Sequence, residues 1–197
     1  MPSADAHDLL RRRVQESIDA KRRLLEDDAL AADVVAAAET ITIALGGGRK
    51  VLVLGNGGSF SQAEHMAGEL VGRYLLDRPG LPAFALGENA AALTAIANDD
   101  DYVQVFARQV RAFTEPGDVI VALSTSGGSK NVLEAVRAAR EGGCPTIGLT
   151  GAAGGALAEE ADLCIRFPST DTPRIQEGHE LAIHIICELV ERDLFGA

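Results

Sequence analysis

The sequence predicts an α/β fold, a three-layer α/β/α sandwich whose central parallel sheet is preceded by two N-terminal helices. Three observations carry this expectation. Short apolar runs rich in β-branched residues alternate with helical patterns from residue 49 onward; a strand, a small-polar turn and a helix are written twice, at Lys50–Glu69 and Val119–Arg140; and two helical patterns precede the first strand. Alternation of this kind implies parallel strands, right-handed crossovers and helices on both faces.

Leu10, Val14, Ile18 and Leu25 recur at helical spacing among Arg and Glu residues, which predicts an amphipathic helix with one apolar stripe. A second helix is expected from about Leu30 to Leu45, stopped by Gly46, Gly47 and Gly48. Such a pair lies outside a βαβ repeat, so its stripe must cover the domain or another subunit, and a subunit contact is expected. Lys50–Leu54 then reads as a buried strand, followed by the turn Gly55–Ser59 and a helix that carries His65 and Glu69. A turn at Arg78-Pro79-Gly80 leads to a short strand at Ala83–Leu86, and helical patterns follow at Asn89–Ala97 and Tyr102–Phe113. Pro116-Gly117-Asp118 turns the chain into the strand Val119–Leu123, which runs into Ser124–Ser129 and a helix over Lys130–Arg140. Strands at Thr146–Leu149 and Leu163–Phe167 flank a short helical piece near Ala156–Glu160, and a long helix over Arg174–Leu194 carries His179, Glu180 and His184. No low-complexity segment or composition break interrupts the series, so residues 1–197 read as one domain.

Composition narrows the function. Hydrophobic residues at 47% and charged residues at 24% are ordinary globular values. A net charge of -11 repels polyanions, which argues against nucleic acid and anionic membrane as partners. Cys144, Cys164 and Cys187 lie far apart with no CxxC pairing, as expected of buried thiols in a reducing compartment. The N-terminal stretch MPSADAHDLLRRRVQ lacks the apolar core of a signal peptide, and no apolar run is expected to span a membrane; a cytoplasmic location follows as an expectation.

The two turns are the candidate ligand sites. Each ends a strand and opens a helix, so free N–H groups and hydroxyls converge where a fold holds phosphate without lysine. Ser124, Thr125, Ser126 and Ser129 supply four hydroxyls within six residues, and the bland alternative is an N-cap with a flexible turn. A P-loop needs a lysine that the turn at Gly55 lacks, and the dinucleotide pattern GxGxxG fails at Phe60. His65 and Glu69 share one helix face and could be two metal ligands, a base with its orienting partner, or a solvated pair. Gln176 and His184 would stand about 12 Å apart along a regular helix and about 80° around it, so they meet one ligand only if side chains converge or the helix starts after Gln176. Glu180 is better placed to pair with His184.

With those residues in view, the chain resembles the phosphoheptose (sedoheptulose 7-phosphate) isomerases of the sugar isomerase (SIS) domain superfamily. GNGGS at Gly55–Ser59, HxxxELxGR from His65 to Arg73, DRPGLP from Asp77, AIAND ending at Asp99, STSGxS at Ser124–Ser129 and RIQEGH from Arg174 occur in the family's order. The resemblance implies a SIS domain of flavodoxin-like topology and a homotetramer with active sites at subunit interfaces. It implies conversion of sedoheptulose 7-phosphate to a glycero-manno-heptose 7-phosphate. Ser59, Ser124, Thr125, Ser126 and Ser129 would hold the phosphate; Asn56, Arg73, Asn98 and Asp99 would contact the sugar, with Gly57, Gly58 and Gln176 completing the binding set. Glu69 and His184 match the catalytic acid/base positions, and His65, Glu69, Gln176 and His184 match positions that bind one Zn2+ per subunit. Those assignments pull on Glu69 in opposite directions, since a zinc-bound carboxylate is a poorer base. Phe60, Ser61, Gly128 and Glu180 depart from the family's usual pattern and bear on fine substrate preference; Glu180 is expected to orient or charge His184. The rival readings are a sugar-phosphate-binding scaffold such as the initiator-associating relatives, and an isomerase of another sugar phosphate.

Overall fold

A computed structural model describes residues 4–196. Five strands, β1 (Val51–Gly55), β2 (Ala83–Ala85), β3 (Val119–Leu123), β4 (Thr146–Gly151) and β5 (Leu163–Phe167), form one all-parallel sheet in the order β2-β1-β3-β4-β5. This is the flavodoxin-like order, with its switch point between β1 and β3. The helices are α1 (Ala4–Leu25), α2 (Asp28–Gly46), α3 (Gly58–Val71), α4 (Ala90–Asp99), α5 (Ala107–Phe113), α6 (Lys130–Glu141), α7 (Gly155–Glu160) and α8 (Thr172–Phe195).

β1 and β3 are buried along their whole length, as strands covered on both faces must be. Val51, Val53, Val119, Val121, Leu123, Ile147 and Leu149 project to one side and meet α2, α3 and α8. Leu52, Leu54, Ile120 and Ala122 project to the other and meet α5, α6 and Leu157 of α7, with Leu93 and Ile96 of α4 at the margin. Strand alternation thus builds two cores from one sheet.

The α2 helix is, at 19 residues, long and apolar enough to cross a membrane by composition, which corrects the expectation that no such run exists. In the fold it is a core helix: Leu30, Val34, Ala37, Ala38, Ile41, Ala44 and Leu45 are buried, and Asp27 caps it by accepting from the Leu30 N–H at 3.0 Å. The α1 stripe behaves differently, since Leu10, Val14, Ile18 and Leu25 remain exposed. Tyr102–Phe113 is two pieces, a 3-10 turn at Tyr102–Gln104 and then α5. Asp101 starts the turn by accepting from the Val103 N–H at 2.7 Å, and the break lets Val105, Phe106 and Val110 all reach the sheet. Cys144 and Cys187 are buried as expected, whereas Cys164 is only half-buried.

His179 of α8 is fully buried and its Nε2 lies 3.0 Å from the Thr150 carbonyl oxygen. Burial pushes its pKa down to about 4. The unfolded chain binds this proton below about 6.5 and the folded chain does not, so stability falls as pH drops from about 6.5 to about 4. The full effect is about 3 kcal/mol. Urea unfolding at stepped pH should show this loss in the wild type and a flatter profile in His179→Gln; equal slopes would contradict it.

Candidate functional site

β1 and β3 pair in register to their last residues, Gly55 opposite Leu123, so the turns that leave them stand side by side at the carboxyl edge of the sheet. The first turn enters α3 through Gly57, whose φ of 56° lies in the left-handed region that glycine adopts without strain. Ser59 is 4% exposed and packs against Gly55, while Gly58 lies under the Gln176 amide, 2.5 Å from where a Cβ would sit. Asn56 and Asn131 exchange reciprocal amide hydrogen bonds of 2.9 and 2.8 Å, and the Tyr102 hydroxyl donates to Asn56 Oδ1 at 3.1 Å. The two turns are therefore tied together through the first turn of α6. A cavity of about 120 Å³ opens beside them, walled by Asn56, Gly57, Phe60 and Tyr102.

In the second turn the Ser124 and Ser129 hydroxyls are 3.0 Å apart. Ser129 occupies the N-cap position of α6 but its side chain makes no capping bond, which removes the bland account of that hydroxyl. Ser126 Oγ accepts from the Gly128 N–H at 3.2 Å, and Thr125 contributes its carbonyl to the Gly151 N–H at 3.1 Å, leaving its hydroxyl unused by that contact. Gly127 has a φ of 65°, and a Cβ there would collide with the Gly154 carbonyl. The first turn of α6 leaves N–H groups without intrahelical acceptors at the same place. Hydroxyls and helix-start amides grouped in this way can receive an anion.

His65 and Glu69 on α3 face His184 and Glu180 on α8. His65 Nε2 lies 2.9 Å from His184 Nε2, 3.2 Å from Glu180 Oε1 and 3.3 Å from Glu69 Oε1. One ring nitrogen carries at most one hydrogen, so it cannot satisfy three such neighbours by donation. Glu180 Oε1 is 3.9 Å from His184 Nε2, so it stands nearer His65 than the histidine it was expected to orient. Tyr74 stacks on His184 with ring centroids 5.5 Å apart and an interplanar angle of 29°. Burial pushes the Tyr74 hydroxyl above its ordinary range, with neighbouring carboxylates adding to the effect. The donor atoms of His65, Glu180 and His184 all lie within 4.8 Å of one another, two imidazoles and a carboxylate, a set that suits Zn2+ and related divalent ions.

The structure does not gather every predicted residue. Because α8 begins at Thr172 it is already helical at Gln176, whose amide lies against Gly58 and makes no hydrogen bond to either imidazole among the described residues. Asn98 and Asp99, bonded to each other at 2.8 Å, end α4 on an exposed surface. Arg73 is likewise exposed. Conversely, Gln62, Asn131 and Tyr74 join the site without having been singled out, and Glu180, expected to pair with His184, lies nearer His65. Asn131 had one readable signal, its place in the first turn of the helix after the serine-rich loop. Gln62 and Tyr74 had none, because their contacts arise where α8 crosses α3 and the following loop.

The SIS domain family matches residues 15–151. The phosphoheptose isomerase of Geobacter sulfurreducens is 50% identical over 184 residues, covering 92% of this chain and 97% of that protein. The chain belongs to the phosphoheptose isomerase family. Another phosphoheptose isomerase, from Halorhodospira halophila, is 47% identical over 195 residues and 98% of both chains. Solved phosphoheptose isomerase structures agree in fold: that from Francisella tularensis has a TM-score of 0.91 at 36% identity, covering 95% of this chain and 98% of its own. The enzyme of Neisseria gonorrhoeae gives 0.88 at 40%, covering 94% and 98%. As a phosphoheptose isomerase family member the chain is a ketose-aldose isomerase with a sugar phosphate as its substrate class.

Proposed function

We propose that the chain converts sedoheptulose 7-phosphate to D-glycero-D-manno-heptose 7-phosphate. The observation that carries this reading is that α3, the helix opened by the first glycine-serine turn, sets His65 within 3.3 Å of Glu69 and 2.9 Å of His184 on α8. The serine hydroxyls and α6 amides anchor the phosphate, and the Asn56 turn and Gln176 line the path of the sugar. With the phosphate fixed, the open-chain ketose presents C1 and C2 to the two helices. The Glu69 carboxylate, 3.3 Å from His65 and mostly buried, takes a proton from C1. The electron pair forms the C1–C2 double bond of an enediol as the C2 carbonyl oxygen gains a proton; His184 carries protons between O1 and O2. Return of a proton to C2 and loss of the O1 proton leave the aldehyde at C1. A divalent cation such as Zn2+, one per subunit, held by His65 and His184 with carboxylate from Glu69 or Glu180 and with Gln176 nearby, would supply Lewis-acid stabilisation of the enediolate.

The same reading places residues 1–197 in one domain and the enzyme in the cytoplasm as a homotetramer with sites at subunit interfaces. Supporting the assembly are the exposed stripe of α1 and an apolar groove of about 450 Å³ between Leu24, Leu25, Val34, Val35, Leu181 and Ile185. Further support is that Arg73, Asn98 and Asp99 are exposed on their own chain, where a neighbouring copy's site can use them. Incubation with sedoheptulose 7-phosphate, followed by NMR with and without added zinc, should produce the heptose aldehyde and its hydrate or ring forms. Turnover of fructose 6-phosphate in its place, or binding of sugar phosphate without turnover, would replace the reading by another isomerase or a binding protein.

A further inference from the structure

We propose that Tyr102 and Asn131 are positioning residues for Asn56, holding its carboxamide so that it offers the sugar one N–H and no acceptor. The inference rests on the reading above that the Asn56 turn lines the path of the sugar. It names what that turn presents there, a donor matched to a hydroxyl or carbonyl oxygen.

The sense of the amide pair is set from the backbone. Asn131 is 4% exposed, and its Oδ1 accepts from the Val132 N–H at 3.0 Å, a hydrogen that it shares with the Ser129 carbonyl, also at 3.0 Å. A backbone N–H cannot accept, so the end of the Asn131 amide that faces it is the oxygen. The pair with Asn56 then runs one way: Asn56 Nδ2 donates to Asn131 Oδ1 at 2.9 Å, and Asn131 Nδ2 donates to Asn56 Oδ1 at 2.8 Å. A carboxamide has two N–H hydrogens and two lone pairs. The pair uses one of each on Asn56, and the Tyr102 hydroxyl, donating at 3.1 Å, takes the second lone pair. One N–H is what Asn56 has left.

Three separate segments meet at this point: the end of β1, the 3-10 turn at Tyr102–Gln104 and the first turn of α6. The Asp101 cap that starts the 3-10 turn is what carries Tyr102 to Asn56. The cavity of about 120 Å³ beside them is otherwise walled by glycines and by the apolar side chains of Phe60, Leu93 and Phe106, so Asn56 and Tyr102 carry its only polar side-chain atoms. The Tyr102 hydroxyl makes no other hydrogen bond among the described residues. Asn56 is half-buried and within reach of a ligand, whereas Asn131 lies beneath it. Fixing an amide plane in advance removes the ordering cost that a bound sugar would otherwise have to offset.

The test is a double-mutant cycle in steady-state kinetics with sedoheptulose 7-phosphate, using wild type, Tyr102→Phe, Asn56→Ala and the two combined, with Asn131→Asp alongside. Tyr102 is 52% exposed and loses only its hydroxyl, so circular dichroism and the urea midpoint of Tyr102→Phe should match wild type. Tyr102→Phe should raise KM about 3–10-fold, the value of one ordinary hydrogen bond, with kcat within about 2-fold. In the Asn56→Ala background the same change should move KM by less than about 1.5-fold, because residues that act through a shared partner are not additive. Asn131→Asp keeps the acceptor for the Val132 N–H but loses the donor to Asn56 Oδ1, and it should raise KM by at least about 3-fold. If Asn56→Ala does not fold, the combined Tyr102→Phe/Asn131→Asp variant carries the cycle, and its KM should exceed the larger single effect by less than about 2-fold. Unchanged KM in Tyr102→Phe or Asn131→Asp, or effects that multiply in full, would overturn the inference while leaving the isomerase reading in place. A wild type without turnover would overturn that reading and the inference with it.

Discussion

Glu69→Gln should lower kcat by about 10²–10⁴-fold, the range for losing a general base, while sugar phosphate still binds. The amide keeps the volume and the α3 position but cannot accept a proton from carbon. In the proposed site the phosphate is anchored by Ser124–Ser129 and the α6 amides, not by Glu69, so the substrate dissociation constant should move little. Steady-state kinetics paired with calorimetric titration of the inactive variant separates the two quantities. Loss of binding in parallel with loss of rate would assign Glu69 to the architecture of the site instead.

Arg78→Met should destabilise the fold by about 3–5 kcal/mol, because it strands a buried carboxylate. The Arg78 side chain is 0% exposed and Glu191 1% exposed, with Arg78 Nε donating to Glu191 Oε1 at 2.8 Å. Glu191 also accepts from the N–H groups of Tyr74, Leu75 and Leu76 at 2.6 to 2.9 Å. Burial opposes its ionisation, but these donors outweigh burial and hold its carboxyl below the ordinary carboxylate range. From the other side, Arg78 donates to the carbonyls of Leu70, Pro79 and Glu69 at 2.8, 3.0 and 2.8 Å. The pair thus pins the loop after α3 to α8, together with the turn of helix that carries Glu69. Urea unfolding should show the loss, and Arg78→Met combined with Glu191→Gln should recover part of it by removing the stranded charge. A change below about 1 kcal/mol, the level of an exposed pair, would contradict this account.

Most of the fold could be read from patterning. Val119–Leu123 and Leu163–Phe167 are strands at the predicted bounds, since each is a short, mostly apolar run closed by turn residues. The helical pattern over Tyr102–Phe113 concealed a break, because the apolar spacing continues through the 3-10 turn and α5 opens after Phe106 without a side-chain cap. At the site, both turns and the positions of His65, Glu69 and His184 were legible because they follow from a strand, a turn and helix periodicity. The nearness of Glu180 to His65 was not, since periodicity relates Glu180 to His184 within α8 and says nothing of how α8 crosses α3. Gln176 shows the same limit: spacing along the helix put it two turns from His184, and its packing against Gly58 depends on that crossing.

The most direct test of the central claim, isomerisation through removal of a carbon-bound proton, is incubation of the enzyme with sedoheptulose 7-phosphate in D2O, followed by NMR and mass analysis. The account predicts a heptose 7-phosphate aldose carrying solvent deuterium at C2, with aldose formation and exchange both slowed by about 10²–10⁴-fold in Glu69→Gln. Absence of aldose with or without zinc would contradict it, as would aldose formed at the wild-type rate by Glu69→Gln.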